Sequence, residues 1–164
     1  MRNRANICVG LCLLIASSVT VTAASAGGVM LDHFAFSPQG SDTAANFYVK
    51  NSTGALTTSA DGCFTAGVNL PNGATVTKVT VWYRKNSPSS ARFALRWRQF
   101  SNGRSEALVD EFLPGSAGLP RTSVTFDVPS ASATVTPAYS YGALVCLGTN
   151  DLFWGARIHY TEAQ

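Results

Sequence analysis

Hydrophobic and polar positions alternate with a period of two along much of this chain. The clearest case is Arg92-Phe93-Ala94-Leu95-Arg96-Trp97-Arg98. Successive side chains of a strand point to opposite faces, so Phe93, Leu95 and Trp97 share the face that belongs in a core. Arg92, Ala94, Arg96 and Arg98 share the other. The preceding run behaves likewise, with Val79, Val81 and Tyr83 on one side and Lys78, Thr80, Trp82 and Arg84 on the other. Helical periodicity is weak throughout, and the apolar runs are rich in Val, Thr, Phe, Tyr and Trp, which suit a pleated surface. Strands are expected at 33–36, 46–50, 63–68, 75–84, 91–98, 106–111, 122–127, 139–147 and 153–160, with loops at 37–43, 52–62, 85–90 and 113–120. Residues 130–137 read as loop or edge strand. Short strands at this spacing with no helices between them predict an all-β fold: a single antiparallel β-sandwich, jelly-roll-like.

Within that pattern, 139–147 reads as a central strand covered on both sides, with Cys146 in or near the core facing Cys63. The last strand turns Ile158 and Tyr160 inward and Arg157 and His159 outward. The connection 85–90 is short enough to make 75–84 and 91–98 a hairpin. With Arg84 opposite Arg92, that hairpin sets Trp82 opposite Ala94 and flanks it with Arg92 and Arg96. The result is one outward face carrying Trp82, Arg84, Arg92, Arg96 and Arg98, a candidate ligand-binding surface. Guanidinium groups fork carboxylate, sulfate or phosphate, and an indole stacks on a sugar ring. The alternative is a solvated face where arginine stems cover the indole and Glu106 and Glu111 neutralise the charge.

The N-terminal segment departs from the β pattern. Arg2 and Arg4 precede an apolar stretch, Ile7 to Ala16, and Ala24-Ser25-Ala26 is a small-x-small cleavage signature. Residues 1–26 therefore read as a secretory signal peptide, leaving 27–164 as one secreted domain, extracellular or periplasmic. Without Arg2 and Arg4 the twelve basic residues become ten against nine acidic. The basic isoelectric point is then a property of the leader, and no basic footprint for nucleic acid remains. Charged residues are only 13% of the chain while apolar ones are 46%, which excludes intrinsic disorder and leaves self-association open.

Two cysteines follow the leader. An exported chain meets an oxidising compartment, so a Cys63–Cys146 disulfide is expected. Catalytic patterns are missing. No G-x-S-x-G elbow occurs, and His33 and His159 are the only histidines. Asp110 and Glu111 are adjacent and so face opposite sides of a strand. Asp32, Asp61, Asp127 and Asp151 fall at turns, where capping is the ordinary role. No metal-ligand spacing or phosphate-cradling glycine loop is present, and no cofactor is expected.

Leu70-Pro71-Asn72-Gly73-Ala74-Thr75-Val76-Thr77 and Arg157-Ile158-His159-Tyr160 resemble a pattern in uncharacterised exported bacterial β-proteins: an LP-x-GA-x-VT turn before a central strand and a closing R-I-x-Y strand. The resemblance implies a small secreted β-sandwich and carries over no functional residues. Three functions follow as expectations. The first is a non-catalytic exported domain with a surface binding or structural role, directed at a glycan or an anionic cell-surface component. The second is a carbohydrate-binding module using Trp82, Trp154 or tyrosines with arginine. The third is a small secreted hydrolase.

Overall fold

The computed structural model describes residues 25–39, 48–50, 54–129 and 133–163. Eleven strands form among them: β1 (Ala26–Asp32), β2 (Ser37–Pro38), β3 (Tyr48–Lys50), β4 (Leu56–Thr58), β5 (Gly62–Val68), β6 (Thr75–Arg84), β7 (Arg92–Gln99), β8 (Ser105–Phe112), β9 (Thr122–Asp127), β10 (Tyr139–Leu147) and β11 (Leu152–Thr161). The segment 33–36 is not a strand. Asp32 accepts from the backbone N–H groups of Phe34 and Ala35 and caps a single 3-10 turn, His33–Ala35. The expected loop 52–62 contains β4, and the expected loop 37–43 begins with β2. The expected leader falls almost wholly on residues 1–24, outside the described residues, as does the start of the strand expected at 46–50. Among the described residues no helix is long and apolar enough to cross a membrane.

The strands form two antiparallel sheets. One has the order β3-β4-β11-β6-β9, with β1 also paired to β11; the other has the order β2-β5-β10-β7-β8. The pairs β4–β11, β5–β10, β6–β9 and β7–β8 are nested, as if one long hairpin had been wrapped around itself. That nesting is the jelly-roll arrangement. Each successive strand from β5 to β7 therefore changes sheet, and the core fills between them with Phe36, Phe64, Phe93 and Phe153 fully buried. Phe93, Leu95 and Trp97 of β7 meet Val79, Val81 and Tyr83 of β6 across this core, all buried as the alternation requires.

One edge of β11 is shared. β4 pairs with Leu152 and Phe153, and β1 takes over from Gly155 onward. The register of β11 against β6 slips at Phe153/Gly155, which leaves Trp154 as the extra residue of a bulge. Gly155 has φ +144, and a Cβ there would collide with the carbonyl oxygen of Leu31. Only glycine lets β1 approach the bulge so closely.

Candidate functional site

A cleft of about 550 Å³ opens at one end of the sandwich. Three connections build it. The β5–β6 turn is closed by the Ala74 N–H donating to the Pro71 carbonyl, with Gly73 at φ +79. Segment 133–135 then clips to that turn: Gly73 donates to Val135, Val135 to Ala74, and Val76 to Ala133. On the third side, the Ser101-Asn102-Gly103 turn between β7 and β8 projects Phe100 outward, 70% exposed.

Phe100 and Tyr139 supply the cleft's aromatic surface, and Asn69, Asn72 and Ser140 supply amide and hydroxyl groups. Tyr139 is seated firmly, its ring stacked on the buried Trp97 at 4.4 Å and 13° between planes. Tyr141 accepts a hydrogen bond from the Thr136 backbone N–H at 3.1 Å. Burial raises the Tyr141 hydroxyl above the usual tyrosine range, against a lowering by that bond and with a further raising by Tyr139. Among the described residues, no Asp, Glu, His, Lys or Arg lines the cleft. Such a surface offers flat apolar contact and neutral hydrogen bonding.

The cleft was not legible in the alternation. Phe100 carried the one available signal, an aromatic residue immediately before a Ser-Asn-Gly turn. Asn69, Asn72 and Tyr139 come together only because the ends of β5, β7 and β10 do.

The sequence-predicted surface is divided by the fold. β6 and β7 do not form a hairpin. β6 lies between β11 and β9, and β7 between β10 and β8. Trp82 and Arg84 therefore stand on the outer face of one sheet, and Arg92, Arg96 and Arg98 on the outer face of the other, with the core between. The connection 85–90 crosses between sheets because its backbone is held from elsewhere. The buried Asp151 carboxylate accepts from the N–H groups of Asn86, Ser87 and Gly148 at 2.7–2.9 Å. Of the three arginines on β7, two are already paired. Arg92 and Arg96 both reach Asp110 on β8, while Glu106 pairs with Arg104 instead. A bulge at Leu95/Arg96 sets this register. Partial burial pushes the Asp110 carboxyl up, but hydrogen bonds and charge from Arg92 and Arg96 outweigh it and hold the group below the usual carboxylate range.

The Cys63–Cys146 disulfide forms as expected, but between neighbouring strands of one sheet. The two residues face each other in the β5–β10 ladder, on its half-buried outer side; Cys146 is not in the core. The bond lies at the end of the sandwich opposite the cleft. Asp61 and Asp151 tie the loops there, Asp61 accepting from the Thr149 N–H and the Ser89 hydroxyl. Neither histidine hydrogen-bonds a serine or a carboxylate among the described residues. His33 is buried beside Phe34, and His159 bonds Thr80 at 3.1 Å. No group of three metal-ligating side chains occurs among the described residues.

No family model matches the chain, and no curated protein matches it. Solved structures do. The C-terminal CBM6 of LamC, a marine laminarinase from Zobellia galactanivorans, superposes with a TM-score of 0.53 over 80% of this chain and 98% of that one, at 14% identity. A xylan-binding module, CBM15, superposes with a TM-score of 0.51 over 85% of this chain and 99% of that one, at 11% identity. The fold is shared with carbohydrate-binding modules. At such identities the likeness concerns architecture, and the residues of a site must come from this chain.

On the outer face opposite Arg92 and Arg96, His159 sits among cations. Burial, Arg157 and Lys78 all lower it from the ordinary histidine value. Lys78 is its cross-strand partner on β6 and Gly28 on β1, and Asp127 faces Lys78 from β9. An unfolded chain protonates this histidine first as pH falls. Its contribution to stability is therefore complete above about pH 6.5 and is lost as pH drops through and below that value. Histidine NMR titration is expected to show His159 below the ordinary value and to move upward in Arg157→Gln; no movement would remove Arg157 as a cause.

Proposed function

We propose that this protein is a non-catalytic carbohydrate-binding domain that receives a neutral glycan in the cleft lined by Phe100 and Tyr139. The observation that carries the reading is the combination of exposed aromatic surface and neutral polar groups, with no carboxylate, imidazole, ammonium or guanidinium among the described lining residues. The C–H faces of pyranose rings pack on aromatic rings, and their hydroxyls exchange hydrogen bonds with amides such as Asn69 and Asn72. The same architecture in a laminarinase's CBM6 and in a xylan-binding module supports a sugar ligand. The leader-like segment 1–26 and the disulfide support export to an oxidising compartment, where polysaccharides are met.

Affinity electrophoresis through laminarin and xylan, with calorimetry on soluble oligosaccharides, tests this. Binding is expected to be insensitive to salt, because no charge lines the cleft. Phe100→Ala is expected to weaken it about tenfold or more, which is about 1.4 kcal/mol. Phe100 is exposed, so this variant should keep its fold, whereas Tyr139→Ala also unseats Trp97. Unchanged binding in Phe100→Ala would remove the cleft from the account. Silence across neutral glycans would favour a structural surface role.

A further inference from the structure

We propose a second binding surface, for acidic polysaccharide, on the outer face of the sheet that holds β6, β9 and β11. The bulge that makes Trp154 the extra residue of β11 places it beside Trp82, since the next residue, Gly155, is the cross-strand partner of Trp82. Glycine opposite an indole leaves that part of the face without a covering side chain. Both tryptophans are half-buried, neither fully covered. Arg121 stands one step beyond the last ladder pair of β9, Thr122 with Tyr83. Its guanidinium reaches over β6 to lie 4.8 Å above the Trp154 ring. Arg84 occupies the row between them. Further along the face stand Arg157 and Lys78.

Among the described residues, no ion pair lies on this face. The ion pairs found among the described residues, Arg92 and Arg96 with Asp110 and Arg104 with Glu106, all lie on β7, β8 and the turn between them. Arg84, Arg121 and Arg157 have no carboxylate within pairing distance among those residues; Asp127 stands opposite Lys78, and Asp32, opposite Gly155, is engaged by the N–H groups of Phe34 and Ala35. The Arg84 Nε is buried and makes no hydrogen bond there. A guanidinium donor shielded from water and left unpaired costs free energy that an oxyanion would recover. His159 beside this row is held below its ordinary value first by burial and then by the charges of Arg157 and Lys78.

Arginine beside indole matches a uronate or sulfated sugar: Arg121, held in place over Trp154, forks the anionic group, and the Trp82 indole takes the ring face. A flexible lipid headgroup or a phosphate has no ring to engage Trp82 and Trp154. The surface lies towards the disulfide end, away from the cleft, so it stands whether or not the cleft binds neutral glycan.

The test uses the full exported chain with polygalacturonate for carboxylate and dextran sulfate for sulfate. Short duplex DNA serves as a polyanion of another class. Binding to at least one acidic glycan at low salt is expected, falling steeply as salt rises. Arg121→Gln is expected to weaken it about tenfold and Trp154→Ala about as much, while Phe100→Ala leaves it unchanged. Arg121 is exposed, so its substitution tests the surface even if Arg84→Gln fails to fold. Which polymer binds distinguishes carboxylate from sulfate recognition. No binding to either acidic glycan, equal binding to DNA, or binding unaffected by both Arg121→Gln and Trp154→Ala would each overturn the proposal.

Discussion

A Cys63→Ser, Cys146→Ser double variant is expected to lose about 4–5 kcal/mol of folding stability. The bond closes a loop of 83 residues. Restricting such a loop in the unfolded chain is worth about 4.5 kcal/mol in the chain-entropy account. Domains of this size are stable by roughly 5–15 kcal/mol, so the variant would sit near the edge of folding at physiological temperature. The nested topology explains why the loop is so long. β5 and β10 are neighbours in the sheet although four strands, β6 to β9, lie between them in sequence. Urea denaturation of the oxidised protein, the reduced protein and the double variant measures the effect. A loss below about 1 kcal/mol would show that the β5–β10 ladder persists in the unfolded ensemble without the bond. The cleft lies at the other end of the sandwich, so folded double variant should retain whatever binding Phe100 supports.

The second large effect is expected at Phe153. Its ring is fully buried, edge-on to Phe36 at 4.9 Å, and it is paired with Tyr83 on β6 and Leu56 on β4. Removing a ring from such a site loses its transfer free energy and leaves a cavity that the two sheets cannot close, about 3–5 kcal/mol together. Phe153→Leu keeps most of the volume and should cost less, about 1–2 kcal/mol. Phe153 also anchors the residue before the bulge. Phe153→Ala is therefore expected to loosen the Trp154 position and to diminish any acidic-glycan binding, whereas Phe153→Leu should preserve it. A loss below about 1 kcal/mol in Phe153→Ala, read from the urea midpoint at constant slope, would mean that Phe36 or Leu56 moves to fill the space.

Much of the local structure was written in the alternation. Three strands, 75–84, 122–127 and 139–147, were placed at the boundaries that the fold adopts, and four more lie within a residue at either end. The inward sets Phe93, Leu95, Trp97 and Val79, Val81, Tyr83 were assigned correctly because period-two patterning reports which face meets the core. Short elements were harder. β2 and β4, of two and three residues, are too brief to show a period, and they form because longer neighbours offer an edge.

The pairing of strands was a different matter. Nothing local distinguishes a six-residue hairpin from a six-residue crossover, and 85–90 is a crossover because Asp151, far along the chain, holds the backbone of Asn86 and Ser87. That single choice sent Trp82 and Arg84 to one side of the protein and Arg92, Arg96 and Arg98 to the other. It also gave Arg92 and Arg96 to Asp110, and left Arg84 near Arg121 and Trp154. Residue order alone made legible the all-β sandwich, the side chains that fill it, and the two cysteines available to bond. Each of these is set by residue type and near-neighbour spacing. Only the tertiary structure decided which sheet each strand joins, that the disulfide lies within a sheet, and that Phe100, Tyr139 and two asparagines share a cleft. Those outcomes depend on contacts between residues far apart in sequence, which a period of two cannot encode.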